Sequence, residues 1–289
     1  MNILENEFLK VLINPIGAEL HSIYNKEKNI EHLWQGDPKF WASRAPVLFP
    51  VIGVLKNNSY SYKGKSYQMP KHGFIRYNDD LVAEQLSDTK VSFSLHDTDK
   101  TLEVYPFHFR FEITYELLGK KLVVSHHITN TGKDMMYFNL GGHPAFNCPL
   151  YDDEKYTDYH IYLEKGSGTP SNILSNEGLI SDQTIEVFEE DKIKLTPTLF
   201  DHDALIFKNI NAEKATLSHE TKGPMLSMEF KDFPDLGIWA KPKASYVCIE
   251  PWLGYADLEN TTQNIEEKEG IQQLAPEKKH QSAYTIMIH

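Results

Sequence analysis

The amino-acid sequence predicts an all-β fold, and three observations carry that prediction. Several stretches alternate apolar with polar residues, as strands with one buried face do, and short Gly- or Asn-containing turns separate them. Aromatic residues make up 12% of the chain, which also favours strands. Helical periodicity is weak throughout, and the best helical candidate is the short stretch 258–268. Frequent turns with few helices indicate a sandwich or a barrel.

Individual strands can be assigned in chain order from the same patterns. Residues 60–69 read as a hairpin with its tip at Gly64. The clearest alternation covers 108–117, where every second residue is apolar, and a turn at Gly119 leads into a second strand over 122–129. Further strand candidates are 91–95, 215–219 and 284–288.

Length and composition indicate one globular domain spanning 1–289, because no Gly-, Ser- or Pro-rich linker and no repeat divides the chain. The net charge of -12 argues against nucleic acid as a partner, since phosphate binding needs a basic face. No apolar run reaches the length of a membrane span. The N-terminus carries Glu5 and Glu7 where a signal peptide would have a cationic and then an apolar stretch. We therefore expect a cytoplasmic monomer or homodimer that binds a small molecule and no membrane.

Several common catalytic signatures are missing from the sequence. It has no Gly-rich dinucleotide fingerprint, no phosphate-binding P-loop, no His-Glu-x-x-His motif and no Gly-x-Ser-x-Gly elbow. The 2 cysteines cannot form a zinc tetrad, and they suit a reducing compartment. His126 and His127 are neighbours on a predicted strand, so they point to opposite faces and cannot share a metal. We expect no metal and no cofactor, and a site made of His, Glu, Asp and Arg.

Two residues stand out as candidates for proton transfer. His143 follows two glycines and precedes Pro144, so backbone can approach closely and the exit direction is fixed. It is either a structural histidine at a turn or a functional group. Glu250 ends the apolar run 247–249, where a carboxylate must be paired, hydrogen-bonded or neutral. It is either half of a buried ion pair with a lysine or a general base whose pKa is raised by burial.

Two further residues are candidates for binding. Arg44 is one of only three arginines, and it lies between Trp41 and Pro46 in sequence too apolar for a surface charge. It is either paired with a buried acid or offers a planar donor fork to a polar ligand. His72, between Lys71 and a glycine, is a weak signal by itself.

Taken together, these segments resemble the aldose 1-epimerase (galactose mutarotase-like) family, and in particular its bacterial branch of mutarotase-related proteins. They occur in the order of the family and cover essentially the whole chain. The resemblance implies a large antiparallel β-sandwich with an open concave face and few short helices, which agrees with the strands assigned above. The segments that carry the resemblance are 44–50, 72–76, 141–146, 199–205, 237–242 and 248–252.

The resemblance also implies roles for individual residues. His143 matches the histidine that acts as general acid toward the ring oxygen, and Glu250 matches the glutamate that acts as general base. Arg44 and His72 match residues that hold sugar hydroxyls and the ring oxygen. A further sugar hydroxyl is bound by an aspartate, for which Asp203 is preferred over the nearby Asp201. Arg76 belongs to the motif of this branch rather than to the family at large, so its role in substrate binding stays open.

The function implied is that of an aldose 1-epimerase (mutarotase), an isomerase that interconverts the α and β anomers of a free aldohexose. A hexose 6-phosphate is an alternative substrate, because a run of cations without acids precedes and includes the His72 motif; the same run suits a solvated hairpin protected by lysines. A non-catalytic sugar-binding protein or sensor is a further alternative. The cationic run comprises Lys56, Lys63, Lys65, Lys71 and Arg76, and the aromatic residues available to stack on a sugar are Trp41, Trp239 and Trp252.

Overall fold

A computed structural model describes residues 1–289, and it consists almost entirely of β-strands. The first half of the chain forms β1 Asn2–Glu5, β2 Leu9–Asn14, β3 Glu19–Asn25, β4 Ile30–Glu31, β5 Val47–Leu48, β6 Ser59–Tyr62, β7 Lys65–Gln68, β8 Val82–Ser87, β9 Lys90–His96, β10 Phe109–Leu118, β11 Lys121–Asn130, β12 Met136–Phe138, β13 Leu140–Gly142 and β14 Ala145–Asn147. The second half forms β15 Tyr159–Leu163, β16 Ser171–Leu174, β17 Ile180–Ile185, β18 Lys192–Lys194, β19 Leu205–Phe207, β20 Lys214–His219, β21 Gly223–Glu229, β22 Asp235–Trp239, β23 Tyr246–Leu253, β24 Gln272–Leu274 and β25 Lys279–Ile288.

Two large antiparallel sheets dominate the molecule. The nine-stranded sheet has the order β18-β15-β20-β21-β25-β11-β10-β9-β8. The eight-stranded sheet has the order β17-β16-β19-β22-β23-β13-β5, with β14 also paired to β23. The ring of Phe49, directly after β5, lies 5.5 Å from Phe109 and 5.2 Å from Phe111 of β10, so the two sheets pack face to face. The predicted antiparallel β-sandwich is confirmed.

Smaller sheets complete the fold. Strands β1 to β4 form a four-stranded sheet, and the pairs β6–β7 and β12–β24 form two-stranded ones. The β6–β7 hairpin turns at Gly64, as the sequence predicts. One hydrophobic core cluster extends from Leu4 to Ile288, so both ends of the chain contribute to it.

The alternation read from the sequence appears in the structure as a buried and an outward face. Every second residue of β10 from Phe109 to Leu117 is buried, and β11 buries its own alternate residues opposite them. The turn between these strands uses Gly119 at a φ of 61°. His126 is buried and His127 is only partly buried, which confirms that they face opposite sides of β11. Strands β9, β20 and β25 contain the three remaining predicted strands.

Helices are few and short, and none is long and apolar enough to cross a membrane. The α-helix Asp99–Val104 begins with a capping box between Thr98 and Thr101. The prediction of a helix over 258–268 is wrong apart from one 3-10 turn, because Gln263 fastens this segment to the hairpin: Ser61 N–H donates to its carbonyl at 2.7 Å. The 3-10 turns are Ile16–Ala18, Lys56–Asn58, Ile75–Tyr77, Tyr156–Asp158 and Ile265–Glu267.

Strand β23 differs from the strands of the nine-stranded sheet, because all eight of its residues are buried. It lies between β22 on one side and β13 and β14 on the other. Glu250 sits in the middle of this strand and is 1% exposed. The prediction of a buried strand carrying a carboxylate is therefore confirmed.

Candidate active site

A cavity of about 360 Å³ opens over β23. Residues from eight separate chain segments meet there, so it is a product of the tertiary fold rather than of any local motif. Six of the seven predicted site residues line its wall, and Arg44 does not. The predicted residues that line the cavity are His72, Arg76, His143, Asp203, Trp239 and Glu250, together with Trp41, Lys71, Lys241 and Trp252.

His143 reaches the cavity because the two short strands around it both pair with β23. Gly141 lies opposite Trp252, and Ala145 lies opposite Cys248, so the connection between them runs alongside Glu250. A Cβ at Gly141 would lie 2.8 Å from the carbonyl oxygen of Pro251, and one at Gly142 would lie 2.7 Å from the hydroxyl of Tyr284. The two glycines are thus required by close packing, as the sequence indicates.

His143 and Glu250 form a buried pair. The Nδ1 atom of His143 lies 3.3 Å from Oε2 of Glu250, and the two side chains are 9% and 1% exposed. The two atoms are within ion-pair range but are not aligned as a hydrogen bond, and neither has another partner. Each is therefore available to a third group. Isolated polar atoms buried in this way are costly, and they are typical of functional sites.

Burial shifts the proton affinities of the pair in opposite directions. Desolvation raises the pKa of Glu250 well above its ordinary value and lowers the pKa of His143 well below it. The positive charges of Lys71 and Arg76 oppose the shift of Glu250 and add to that of His143. Burial of the pair consequently favours a neutral carboxylic acid beside a neutral imidazole.

Aromatic rings enclose the imidazole of His143. The indole of Trp41 stacks on it at 4.8 Å with an interplanar angle of 27°, and Trp239 meets it edge-on at 5.9 Å. These rings fix the orientation of the imidazole and offer flat apolar surface to a ligand. Trp239 occupies the cavity wall as predicted.

Hydrogen bonds with the backbone of Gly53 hold His72 in one tautomer. The backbone N–H of His72 donates to the carbonyl of Gly53 at 2.8 Å, and the ring Nδ1 of His72 accepts from the backbone N–H of Gly53 at 3.1 Å. A neutral His72 must therefore carry its proton on Nε2. Burial lowers the pKa of His72, with the positive charges of its neighbours as a smaller cause, which keeps the ring neutral. The side chain can donate a hydrogen bond to an oxygen in the cavity.

Asp203, rather than Asp201, lines the cavity. It adopts a φ of 70°, a left-handed conformation that Asp tolerates better than most residues, and its Oδ1 accepts the N–H of Ala204 at 2.9 Å. Asp201 is exposed and lies outside the wall. The placement agrees with the preference stated for Asp203.

Of the two arginines predicted to bind substrate, one lines the cavity and the other does not. Arg44 does not line the cavity: its N–H donates to Oε1 of Glu19 at 2.8 Å, and its guanidinium packs against Gly36. Arg76 does line the cavity, and its Nη2 donates to the hydroxyl of Ser43 at 3.1 Å. A direct contact between Arg44 and a sugar stays a prediction, while Arg76 has the more suitable position.

Two features of the wall could not be predicted from the sequence. Lys241 follows Trp239 by two residues at the end of β22, and it was recognised only as part of a motif. Together with Lys71 and Arg76 it gives the cavity three cations, none of which has a carboxylate within 4.0 Å. An apolar side, formed by Leu174, Ala204 and Ile206, was not anticipated because these residues follow ordinary strand patterns.

The arrangement combines a proton donor and acceptor 3.3 Å apart, a neutral imidazole donor, a carboxylate and flat aromatic surfaces. Groups of these kinds suit a polyhydroxylated ligand, whose hydroxyls need donors and acceptors and whose ring faces are apolar. The buried pair can move protons to and from such a ligand.

Comparison with known proteins agrees with this chemistry. Residues 2–286 match the profile of the aldose 1-epimerase family. The chain is 32% identical to the plasmid-encoded protein LacX of Lactococcus lactis, with 99% of this chain and 98% of that protein aligned. Its structure resembles a galactose mutarotase-related enzyme from Lactobacillus acidophilus, with a TM-score of 0.94, 33% identity, and coverage of 100% of this chain and 97% of that chain.

A second solved structure agrees equally well. A galactose mutarotase-like protein from Lactobacillus casei has a TM-score of 0.93 and 32% identity, and each chain covers 100% of the other. The similarity thus extends over the whole sequence and includes every segment that forms the cavity. The chain belongs to the aldose 1-epimerase family.

Proposed function

We propose that the protein is an aldose 1-epimerase that interconverts the α and β anomers of a free aldohexose by acid–base opening and closing of the ring. The observation that carries the proposal is the 3.3 Å approach of His143 Nδ1 to Glu250 Oε2 in the wall of the cavity. The two reacting oxygens of a hemiacetal share one carbon, so an acid and a base that serve them must lie close together. Membership of the family supports the same reaction class.

In the proposed mechanism, Glu250 accepts the proton of the anomeric hydroxyl while His143 protonates the ring oxygen. The bond between the anomeric carbon and the ring oxygen breaks, and an open-chain aldehyde forms. Rotation about the adjacent carbon–carbon bond presents the other face of the carbonyl. Return of both protons closes the ring as the opposite anomer, and neither group is consumed.

The starting protonation state needs no exchange with solvent. A neutral Glu250 and a neutral His143 hold two protons in total, one on the carboxyl group and one on the imidazole, which is the same number as a carboxylate beside an imidazolium. The reactive form therefore arises by moving one proton within the pair. The positive charges of Lys71 and Arg76 favour the carboxylate of Glu250 but disfavour a positive charge on His143, so they do not decide between the two forms of the pair. A sugar whose oxygens bond to the two groups offsets the cost of separating charge between these buried side chains.

The remaining cavity residues would hold the sugar in place. His72 would donate from Nε2, Asp203 would accept from a hydroxyl, and Trp41 and Trp239 would cover the apolar ring faces. Holding the sugar rigidly matters because acid–base catalysis requires hydrogen-bond contact with the reacting oxygens.

Replacing Glu250 by Gln tests the proposal, since the amide keeps the shape but cannot accept the proton. We expect the polarimetric rate of anomerisation to fall by about 10²–10⁴-fold with the circular dichroism spectrum unchanged. Asp201→Asn is the matched control, because Asp201 is exposed and outside the cavity. Rates near those of the unaltered protein for Glu250→Gln would remove this residue from the mechanism.

A hexose phosphate is a second candidate substrate, and the three cations Lys71, Arg76 and Lys241 favour it. Only two carboxylates, Asp203 and Glu250, share the wall with them. Rates on glucose, galactose and their 6-phosphates at several salt concentrations separate the candidates. Preference for the phosphates, lost at high salt, supports the anionic substrate, and salt-insensitive preference for the free sugars supports the first proposal.

A binder or sensor without turnover would use the same cavity. It would bind sugar saturably and leave the spontaneous rate of mutarotation unchanged. The buried acid–base pair favours an enzyme over this alternative, because a binder has no need of an isolated proton donor and acceptor held without partners.

A further inference from the structure

One buried group beside the reacting pair has no part in the proposed mechanism. Cys248 and Glu250 are two residues apart on β23, so their side chains point to the same face of the sheet. Ala145 lies opposite Cys248 in the neighbouring strand, which brings His143 to this face as well. Three side chains with different donor atoms therefore converge on one point.

The distances suit a metal ion. One donor atom from each of His143, Cys248 and Glu250 lies within 4.8 Å of the others. The 3.3 Å between Nδ1 of His143 and Oε2 of Glu250 matches tetrahedral zinc, where bonds of about 2.0–2.1 Å place such atoms roughly 3.3–3.4 Å apart. With a zinc–sulfur bond of about 2.3 Å the same geometry places the sulfur roughly 3.5 Å from the other two donor atoms, so the three atoms would draw together from their separation of up to 4.8 Å when the ion binds.

A second observation also indicates a ligand at this point. Nδ1 of His143 and Oε2 of Glu250 are buried without a hydrogen-bond partner. Their side chains are 9% and 1% exposed. Buried polar atoms are nearly always paired, and a cation between these two would satisfy both.

We propose that His143, Cys248 and Glu250 form a binding site for zinc or a similar thiophilic divalent cation, and that its occupancy shuts off sugar turnover. The nitrogen, sulfur and oxygen donors select such ions over magnesium or calcium, which prefer oxygen ligands alone. Three protein ligands leave a fourth position open toward the cavity for water or a sugar oxygen.

Binding releases protons in a defined way. The thiol proton of Cys248 and the carboxyl proton of Glu250 leave, while His143 binds through Nδ1 as a neutral ring with its proton on Nε2, because metal ligands must be deprotonated at the donor atom. The resulting thiolate and carboxylate balance the two charges of the ion, so the buried site becomes neutral overall. Zinc affinity should accordingly increase with pH.

The loss of turnover follows directly from the ligation. The metal occupies the lone pairs with which Glu250 and His143 would take up and transfer protons. This consequence rests on the proposed function, whereas binding of the metal does not. The second cysteine, Cys148, is buried as well but is not part of this cluster, so it provides a matched control.

The test compares the full-length protein with its Cys248→Ser and Cys148→Ser variants. Zinc binding is measured by competition with a chromophoric chelator, and mutarotation by polarimetry with and without added zinc and then EDTA. We expect one zinc per chain, inhibition and recovery for the unaltered protein and for Cys148→Ser. Loss of a direct ligand in Cys248→Ser should weaken binding by at least about 100-fold, since even outer partners of a metal cost 10–100-fold, and should leave turnover insensitive to zinc.

Cobalt titration of the unaltered protein gives an independent reading, because a thiolate ligand produces a near-ultraviolet charge-transfer band that requires no variant. Absence of that band and of zinc binding would overturn the proposal, as would unchanged zinc binding in Cys248→Ser. If zinc binds through Cys248 but no sugar is turned over, the proposed enzymatic function fails while the metal site stands. If sugar is turned over but zinc does not bind, the metal site fails while the proposed enzymatic function stands.

Discussion

His126 of the nine-stranded sheet and His143 beside the eight-stranded sheet are both buried histidines, but their surroundings differ. His126 faces the core on β11, near the rings of Tyr284 at 5.9 Å and Phe233 at 6.1 Å, and neither ring nitrogen has a partner. His143 faces a cavity and a carboxylate at 3.3 Å. Burial lowers the pKa of both. A shifted pKa therefore does not identify a catalytic group unless a reaction partner and space for substrate accompany it.

The largest expected effect is a difference in mutarotation rate between variants of the two histidines. Because His143 is the proposed proton donor, His143→Gln should reduce the rate of mutarotation by about 10²–10⁴-fold, whereas His126→Gln should leave the rate of the folded protein nearly unchanged. Polarimetry on both purified variants measures this. Equal losses in the two variants would mean that burial, and not the partnership with Glu250, explains the effect.

A smaller loss of activity is expected from disturbing the close packing behind His143. A Cβ at Gly142 would lie 2.7 Å from the hydroxyl of Tyr284, so Gly142→Ala must displace the loop that carries His143. We expect a roughly 10–100-fold loss of kcat, since displacement of about 1 Å can cost that much. Adding Tyr284→Phe removes the nearest atom and should restore part of the rate. No rescue in the double variant would argue against this packing contact as the cause.

Acid should destabilise the protein through its buried histidines. Burial lowers the pKa of His126 to about 3 and that of His32 to about 4, from an ordinary value of 6.5. Between the ordinary pKa and the lowered one, the unfolded chain binds more protons than the folded chain. The contribution of these histidines to the free energy of unfolding is therefore fully present above about pH 6.5 and is lost as the pH falls. For each such histidine, the free energy of unfolding should decrease by up to about 1.4 kcal/mol per pH unit. Urea unfolding at pH 7 and pH 5 should show the loss, and an unchanged midpoint would contradict it.

The smallest expected effect concerns His126 alone. His126→Leu removes two unpaired buried nitrogens and keeps the packing volume similar, so the free energy of unfolding at pH 7 should stay level or rise by about 1 kcal/mol. The acid-dependent slope should also become shallower. Chemical denaturation at two pH values measures both, and a loss of several kcal/mol at pH 7 would show that the nitrogens have partners.

The parts of the fold that depend on local pattern could be predicted from the sequence. The alternation of β10 is local, and so is the apolar run that buries Glu250 in β23. The convergence of His143 with Glu250 could be reached only through the family resemblance, because it depends on pairing between strands about a hundred residues apart. Helix α1, Asp99–Val104, was missed because its capping box uses Thr101 where a sequence signature expects Glu or Gln.

The positions of the cations were the least predictable part of the site. Arg44 lies in apolar sequence, which suggested an inward-pointing group, but Glu19 anchors its backbone and its side chain packs against Gly36. Arg76 carried no local signal of burial, and a 3-10 turn directs it to the cavity. The direction of a long side chain depends on contacts distant in sequence, which a single sequence does not display.

A double-variant comparison tests the central claim that His143 and Glu250 act as one acid–base unit. Mutarotation rates are measured for His143→Gln, for Glu250→Gln and for the two changes combined. The effects of groups that act together are strongly non-additive, so the combined variant should be hardly slower than either single variant. Losses that multiply, or a single variant that retains nearly full activity, would contradict it.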